Sequence, residues 1–263
     1  MPELRTDDTT LHYEVEGSGE PVTVFAHGLT NSCMELAAFT PFAPGTKVRF
    51  CFRGHGHSGV PEAGSYRFAD FARDLDDVAR ATGATNVVGT SLGAGAVLHL
   101  VGREPARFDR IVLLLPATLD MPIGDHSLFD RTADLLETLP RDQAIEAILR
   151  ESGRTENHRD NPGLRAYDML RWREMDPVGV ARAIREITRD VAIDDGQRLR
   201  DVAVPTMIIA REGDPIHPAV LARVLSELMP QNELVMLESE DDLIGSIPVL
   251  VERVSRFLTG VVR

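Results

Sequence analysis

Three short stretches of this 263-residue chain carry side chains from which acyl-transfer chemistry can be assembled. The first is Gly89-Thr90-Ser91-Leu92-Gly93, a G-x-S-x-G pentapeptide between an apolar run and a segment of small residues. A serine on a sharp strand-to-helix turn takes strained backbone geometry, and the residues two places to either side must be small to avoid collision. Such a turn presents the hydroxyl as a nucleophile and aims the following N–H groups at charge developing on a substrate. The second stretch is His27-Gly28-Leu29-Thr30, after the apolar run 22–26. A loop there offers the Leu29 N–H beside that of Leu92, a pair of donors for an oxyanion. His27 and Gly28 are assigned to the substrate side of that loop, although a strand-end imidazole more commonly bonds local backbone. The third stretch is Arg211-Glu212-Gly213-Asp214-Pro215, just past the apolar run 206–210. A carboxylate at the C-terminal end of a strand is placed to orient a base, so Asp214 is the candidate acid.

The elements that must position these residues alternate between strand and helix, the pattern of an α/β protein with a largely parallel sheet flanked by helices. Residues 11–16, 22–26, 48–52, 86–88 and 111–115 read as strands, and residues 68–82 and 93–102 as helices. The rhythm then breaks. From Asp120 to Leu199 the chain is charged and helical in period, with four short helices expected over 128–139, 141–151, 164–174 and 178–188. An all-helical stretch of about 80 residues is too long for an ordinary connection. It is read as a cap over residues 120–199, inserted after the strand at 111–115, taken as the sixth strand of a core formed by 1–119 and 200–263. Strands 206–210 and 233–237 and helices 218–229 and 248–258 complete that core. In the cap, Trp172 is the side chain assigned to the substrate pocket, although core packing at helical spacing accounts for such residues equally well.

Composition narrows the function classes. Hydrophobic residues at 43% and charged residues at 26% exclude a disordered or collagen-like chain. A net charge of −13 argues against nucleic acid and anionic membrane surfaces as partners. No apolar run approaches the roughly 18 residues of a spanning helix, and the acidic start does not read as a signal peptide. The expected location is the cytoplasm, and the expected partner is a small-molecule substrate or ligand. Oligomeric state is open. Cys33 and Cys51 are read as two buried thiols whose spacing does not suggest metal ligands. No metal, nucleotide or other cofactor is expected.

Together these motifs resemble the α/β-hydrolase family over essentially the whole chain. The resemblance includes the His27-Gly28 loop, the stretch Arg53-Gly54-His55-Gly56-His57-Ser58, the Gly89–Gly93 turn and Gly213-Asp214. It also takes in the helical insertion and a closing helix that begins near Pro248. It implies an α/β-hydrolase fold, Ser91 as nucleophile, Asp214 as acid, and the Leu29 and Leu92 N–H groups as oxyanion hole. One part of the pattern is missing. The family places its catalytic histidine in the loop after the last strand, where this chain reads Leu237-Glu238-Ser239-Glu240-Asp241-Asp242. No histidine follows His217, and Asp242, with Asp241 as the second choice, stands at the expected position. Cys51 is a smaller departure, since the family often has Asp there.

A serine hydroxyl needs a base, and several groups compete for the part. His217 is three residues from Asp214, which leaves little room to stack acid, base and serine in line. His126 or His158 would have to descend from the cap, while His27, His55 and His57 rim the same sheet edge. Asp242 would serve as a carboxylate base only if burial raised its pKa. The last alternative is that no competent base exists. The enzyme reading is therefore a serine hydrolase acting on a small apolar ester, thioester or lactone. Against it stand a ligand-binding protein that has lost the histidine, and a non-hydrolytic enzyme using the same pocket.

Overall fold

The computed structural model describes residues 2–37, 39–153 and 162–260. Eight strands form one sheet in the order β1-β2-β4-β3-β5-β6-β7-β8. They are β1 (Glu3–Arg5), β2 (Thr10–Glu16), β3 (Val22–Ala26), β4 (Thr46–Phe50), β5 (Asn86–Thr90), β6 (Arg110–Leu114), β7 (Thr206–Arg211) and β8 (Asn232–Leu237). The β1–β2 and β2–β4 pairs are antiparallel and the remainder are parallel. The first strand falls in a stretch that sequence reading left as a polar terminus. The fourth begins two residues earlier than the apolar run suggests, because it pairs with β3 from Val22↔Thr46 to Ala26↔Phe50.

The inner parallel strands β3, β5, β6 and β7 are mostly apolar and buried because both faces are covered. Val24, Ala26, Val87, Ile111, Leu113, Ile208 and Ala210 pack into one cluster with α1 (Phe68–Thr82), α2 (Leu92–Val101) and, from later in the chain, Ala219–Leu228. The alternate residues Phe25, Val88, Val112, Leu114, Met207 and Ile209 pack into a second cluster with the last helix, Ile247–Thr259. This period of two, read on both faces, is what the pleat demands.

Between β6 and β7 lie α3 (Ser127–Thr138), α4 (Arg141–Glu151), α5 (Pro162–Glu174) and α6 (Pro177–Ile187). Their apolar faces form a cluster of their own around Leu135, Ile145, Ile148, Trp172, Val180 and Ile184. Hydrogen bonds tie this segment to the rest of the chain. The Glu186 carboxylate accepts the Gly64 and Tyr66 N–H groups at 2.6 and 3.1 Å, and Asp190 accepts the Phe68 N–H at 2.8 Å. Helices α7 (Ala219–Leu228), α8 (Glu240–Gly245) and α9 (Ile247–Thr259) follow. Among the described residues no helix is long and apolar enough to cross a membrane.

The chain reverses its direction of winding around β3, which lies between β4 and β5. Ligands in open α/β sheets bind beyond the carboxyl ends of strands at such a switch point. His27–Thr30 leaves the end of β3 there, and Ser91 leaves the end of β5.

Candidate active site

Ser91 sits between β5 and α2 with φ 48° and ψ −104°, a left-handed conformation unusual for a residue with a side chain. Backbone in that region costs on the order of 1–3 kcal/mol and persists where the surroundings enforce it. The enforcement is visible. The Ser91 N–H donates to the Leu114 carbonyl at 3.0 Å and the Gly93 N–H to that of His27 at 3.1 Å. A Cβ on Gly89 would lie 2.7 Å from the Gly93 backbone, and one on Gly93 would lie 2.2 Å from the Ala26 carbonyl oxygen. Both glycines of the pentapeptide are therefore steric requirements of the turn.

The Ser91 hydroxyl faces His217. The Ser91 Oγ and His217 Nε2 are 3.0 Å apart, and His217 Nδ1 lies 3.1 Å from Asp214 Oδ2. With Nδ1–H donating to the carboxylate, Nε2 is left as the acceptor for the serine proton. Asp214 manages this from the same turn by dividing its carboxylate. Oδ1 accepts the Ile216 and His217 N–H groups at 2.9 and 3.0 Å and so closes the turn. Oδ2 takes the imidazole and lies 3.0 Å from Arg211 Nε. Burial raises the Asp214 pKa, but the His217 imidazole and the two backbone donors outweigh it and hold the carboxyl at about 2. Asp214, His217 and Ser91 thus line up although Asp214 and His217 are three residues apart, a spacing that in the sequence leaves little room for such a line.

Leu29 and Leu92 both line the cavity in front of Ser91. Leu92 is the first residue of α2, so its N–H has no partner within the helix. No acceptor among the described residues takes either N–H. The cavity measures about 220 Å³, below the roughly 300–1,000 Å³ usual for drug-sized ligands. Phe68, Leu115, Ile123, Phe129, Ile187 and Ile216 make its walls largely apolar.

Glu35, which the sequence did not single out, also faces this cavity. Its carboxylate accepts the Gly28 N–H at 2.5 Å and the Asn31 amide at 2.8 Å. An atom in the Cβ position of Gly28 would be 3.3 Å from both Glu35 oxygens and 3.5 Å from Ser91 Cβ, so Gly28 keeps the passage between them open. Burial raises the Glu35 pKa against the pull of the Gly28 N–H and Arg171. Arg171 of α5 grips the same loop from outside, donating to the Thr30 carbonyl at 2.8 Å. Thr30 has φ 61°, a strained value for a β-branched residue.

Other expected site residues lie elsewhere. His27 is buried, with Nδ1 2.8 Å from the Gly28 carbonyl and Nε2 accepting the Phe52 N–H at 3.0 Å. Both ring nitrogens are spent on backbone and burial depresses its pKa to about 3, so it is a strut of the loop and not a substrate contact. Trp172 is turned into the cluster formed by α3–α6, 4% exposed, and does not line the cavity. Asp242 lies at the start of α8, where its carboxylate accepts the Glu238 N–H at 3.0 Å and the Ser246 hydroxyl at 3.1 Å. It caps a helix and makes no contact with Ser91. His55 is fully buried against Arg53 and His27, His57 is exposed with its ring edge-on to that of His12, the centroids 5.2 Å apart, and His126 stands near Asp130 of α3. His158 is outside the described residues.

Comparison with known proteins identifies the fold. A family model for the alpha/beta hydrolase fold matches residues 48–244. RutD of Agrobacterium fabrum, a candidate carbamate hydrolase by its name, is 26% identical over 244 residues, covering 87% of this chain and 89% of its own. The enol-lactonase of Burkholderia xenovorans LB400 superposes with a TM-score of 0.81 at 22% identity, covering 98% of this chain and 100% of its own. The esterase EaEST of Exiguobacterium antarcticum does so at 0.74 and 20%, covering 94% and 96%. With three quarters of its length matched and its serine turn at the crossover of a mostly parallel sheet, this chain belongs to the alpha/beta hydrolase fold family.

Proposed function

We propose that the protein is a serine hydrolase of small, uncharged, largely apolar esters, thioesters or lactones, with Ser91 as nucleophile, His217 as base and Asp214 as its orienting acid. The observation that carries this reading is the pair of contacts on either side of one imidazole, 3.0 Å to Ser91 Oγ and 3.1 Å to Asp214 Oδ2. In the reaction, Ser91 Oγ bonds to the substrate carbonyl carbon as its proton passes to His217 Nε2. The carbonyl oxygen takes the negative charge and is held by the Leu29 and Leu92 N–H groups, helped by the positive end of α2. Collapse breaks the bond to the leaving oxygen or sulfur, which receives the proton from His217. Water then repeats the sequence on the acyl-enzyme, and Ser91 regains its proton.

The cavity supports the choice of substrate. Its lining contains no Lys or Arg among the described residues and includes the Glu35 carboxyl, so a carboxylate on the substrate would meet a second acidic group and no basic side chain of Lys or Arg to pair with. Glu35→Gln is expected to narrow the preference for neutral over carboxylate-bearing esters by roughly tenfold, read as a ratio of kcat/KM values. The helices within 120–199 contribute Ile123, Phe129 and Ile187 to the walls, which supports their role as a cap. The setting proposed is the cytoplasm, where two free buried cysteines stay reduced. The ligand-binding alternative rested on the absence of a base, and the 3.0 Å approach of His217 Nε2 to Ser91 Oγ favours the hydrolase reading over it.

The test is labelling by a fluorophosphonate together with turnover of a short-chain nitrophenyl ester. Both are expected in the wild-type chain and absent in Ser91→Ala and His217→Ala. Equal turnover in all three proteins would overturn the assignment.

A further inference from the structure

A second group of chemistry-bearing side chains converges away from the cavity, on one face of the β2–β4 pair. His12 and Glu14 are two residues apart on β2 and so project from the same face. The antiparallel register pairs Glu14 with Arg49, and the Cys51 N–H donates to the His12 carbonyl at 2.9 Å, which puts Cys51 across from His12. The loop after β3 returns over this patch and delivers Cys33, whose N–H points at Cys51 Sγ across 3.5 Å. His12 Nε2, a Glu14 carboxylate oxygen and Cys33 Sγ all lie within 4.8 Å of one another.

The His12 ring gives an independent indication. It is 2% exposed, and its Nε2 has no hydrogen-bond partner among the described residues. The Glu14 Oε1 is 3.7 Å away, too far for a hydrogen bond. A buried ring nitrogen left unmatched costs about 1–3 kcal/mol, so its position beside a carboxylate oxygen and a thiol calls for a further group. Glu14 is already arranged for one: Oε2 is bound by Arg49 at 2.6 Å, which leaves Oε1 turned toward His12.

We propose that His12, Glu14 and Cys33, with Cys51 as the fourth donor, bind one thiophilic divalent cation of the Zn²⁺ class. One nitrogen, one oxygen and two sulfurs are a donor set that Zn²⁺ accepts in a tetrahedral site. With bonds near 2.0 Å to N and O and 2.3 Å to S, the donor atoms of such a site stand roughly 3.3–3.8 Å apart. Tetrahedral N and O donors at these bond lengths stand about 3.3 Å apart, so the 3.7 Å between His12 Nε2 and Glu14 Oε1 has to close by about 0.4 Å, and Cys33, together with Cys51, which lies outside the group within 4.8 Å, has to turn inward by side-chain rotation. Binding is a ligand exchange without redox change: the two thiols lose protons to solvent and their sulfurs bond to the metal. Two thiolates and a carboxylate would neutralise the ion together with the Arg49 guanidinium that stays paired to Glu14. The cation would fasten β2 and β4 to the loop that carries Leu29 and Glu35, a structural role separate from the hydrolytic chemistry.

The experiment is metal analysis of the full chain after chelator treatment, exposure to Zn²⁺ under reducing conditions, and dialysis. One ion per chain and a raised melting temperature are expected, with retention in Ser91→Ala and loss in Cys33→Ser and His12→Gln. Titration of the unmodified chain with Co²⁺ needs no variant to fold. It is expected to produce a thiolate-to-cobalt charge-transfer band and the visible bands of tetrahedral cobalt. No ion retained above buffer, a cobalt spectrum without the thiolate band, or an ion that survives both substitutions would each overturn the site. So would a Cys33–Cys51 disulfide in protein prepared without oxidant.

Discussion

Strands β7 and β8 are neighbours in the sheet and run parallel, so the loops that leave them emerge side by side. Each carries an aspartate whose two oxygens are both engaged. In the loop after β7, the donors around Asp214 are two backbone N–H groups, Arg211 and an imidazole that faces Ser91. In the loop after β8, the donors around Asp242 are a backbone N–H and a serine hydroxyl. The Asp242 N–H in turn donates to Ser239 Oγ at 3.1 Å, a reciprocal arrangement like that of a capping box. The same residue type thus holds the proposed relay after one strand and the entry to a helix after the other. What separates them is the set of donors that the fold brings to the carboxylate.

Exchanging the roles experimentally would break that contrast. His217→Ala is expected to lower kcat by about 10⁴–10⁶, as Ser91→Ala does, and ester hydrolysis under saturating substrate measures it. Asp214→Asn keeps the turn nearly isosteric but offers the imidazole the wrong partner, so a fall in kcat of about 10⁴ is expected. Acid titration of stability sharpens the comparison further. The Asp214 pKa is depressed from 3.8 to about 2, so its contribution is fully present above pH 4 and disappears as pH falls through 2. Urea denaturation across that window should show about 2 kcal/mol of pH-dependent stability that Asp214→Asn lacks. The smallest effect belongs to Asp242→Ala. It should change kcat by less than about twofold and cost about 1 kcal/mol of stability through the lost cap, seen as a lower melting temperature. A large loss of kcat in Asp242→Ala with normal stability would reverse the assignment of the two loops.

How far the sequence could be read depended on whether the constraint was local. The pentapeptide declared its geometry because Gly89 and Gly93 meet backbone within a few residues of Ser91 or at the end of β3. The strands were legible because their apolar runs are covered on both faces. His217 was visible as a residue but its part was not, since two groups springing from one turn leave little room to line up with the serine unless the Asp214 carboxylate divides its oxygens. One oxygen closes the turn and the other holds the ring. Trp172 misled because helical spacing says which side of a helix is apolar without saying what that side meets, and here it meets α3, α4 and α6. Glu35 and Arg171 gave no signal, because a loop carboxylate and a helix arginine become neighbours only after α5 settles over the His27–Thr30 loop. The patch joining His12, Glu14, Cys33 and Cys51 was hidden for a related reason, as it exists only through the pairing of β2 with β4.

The compactness of the Asp214–His217 turn has a consequence for how such a site is gained, lost or moved. In the usual layout, acid and base arrive from separate loops, and a length change in either one leaves the other in place. On the proposed assignment both sit here in a tetrapeptide bounded by Gly213 and Pro218, so they would travel as one cassette. A single insertion in that segment would remove the whole relay at once. Conversely, grafting Asp-Pro-Ile-His onto the matching strand end of an inert relative would install both members in one step.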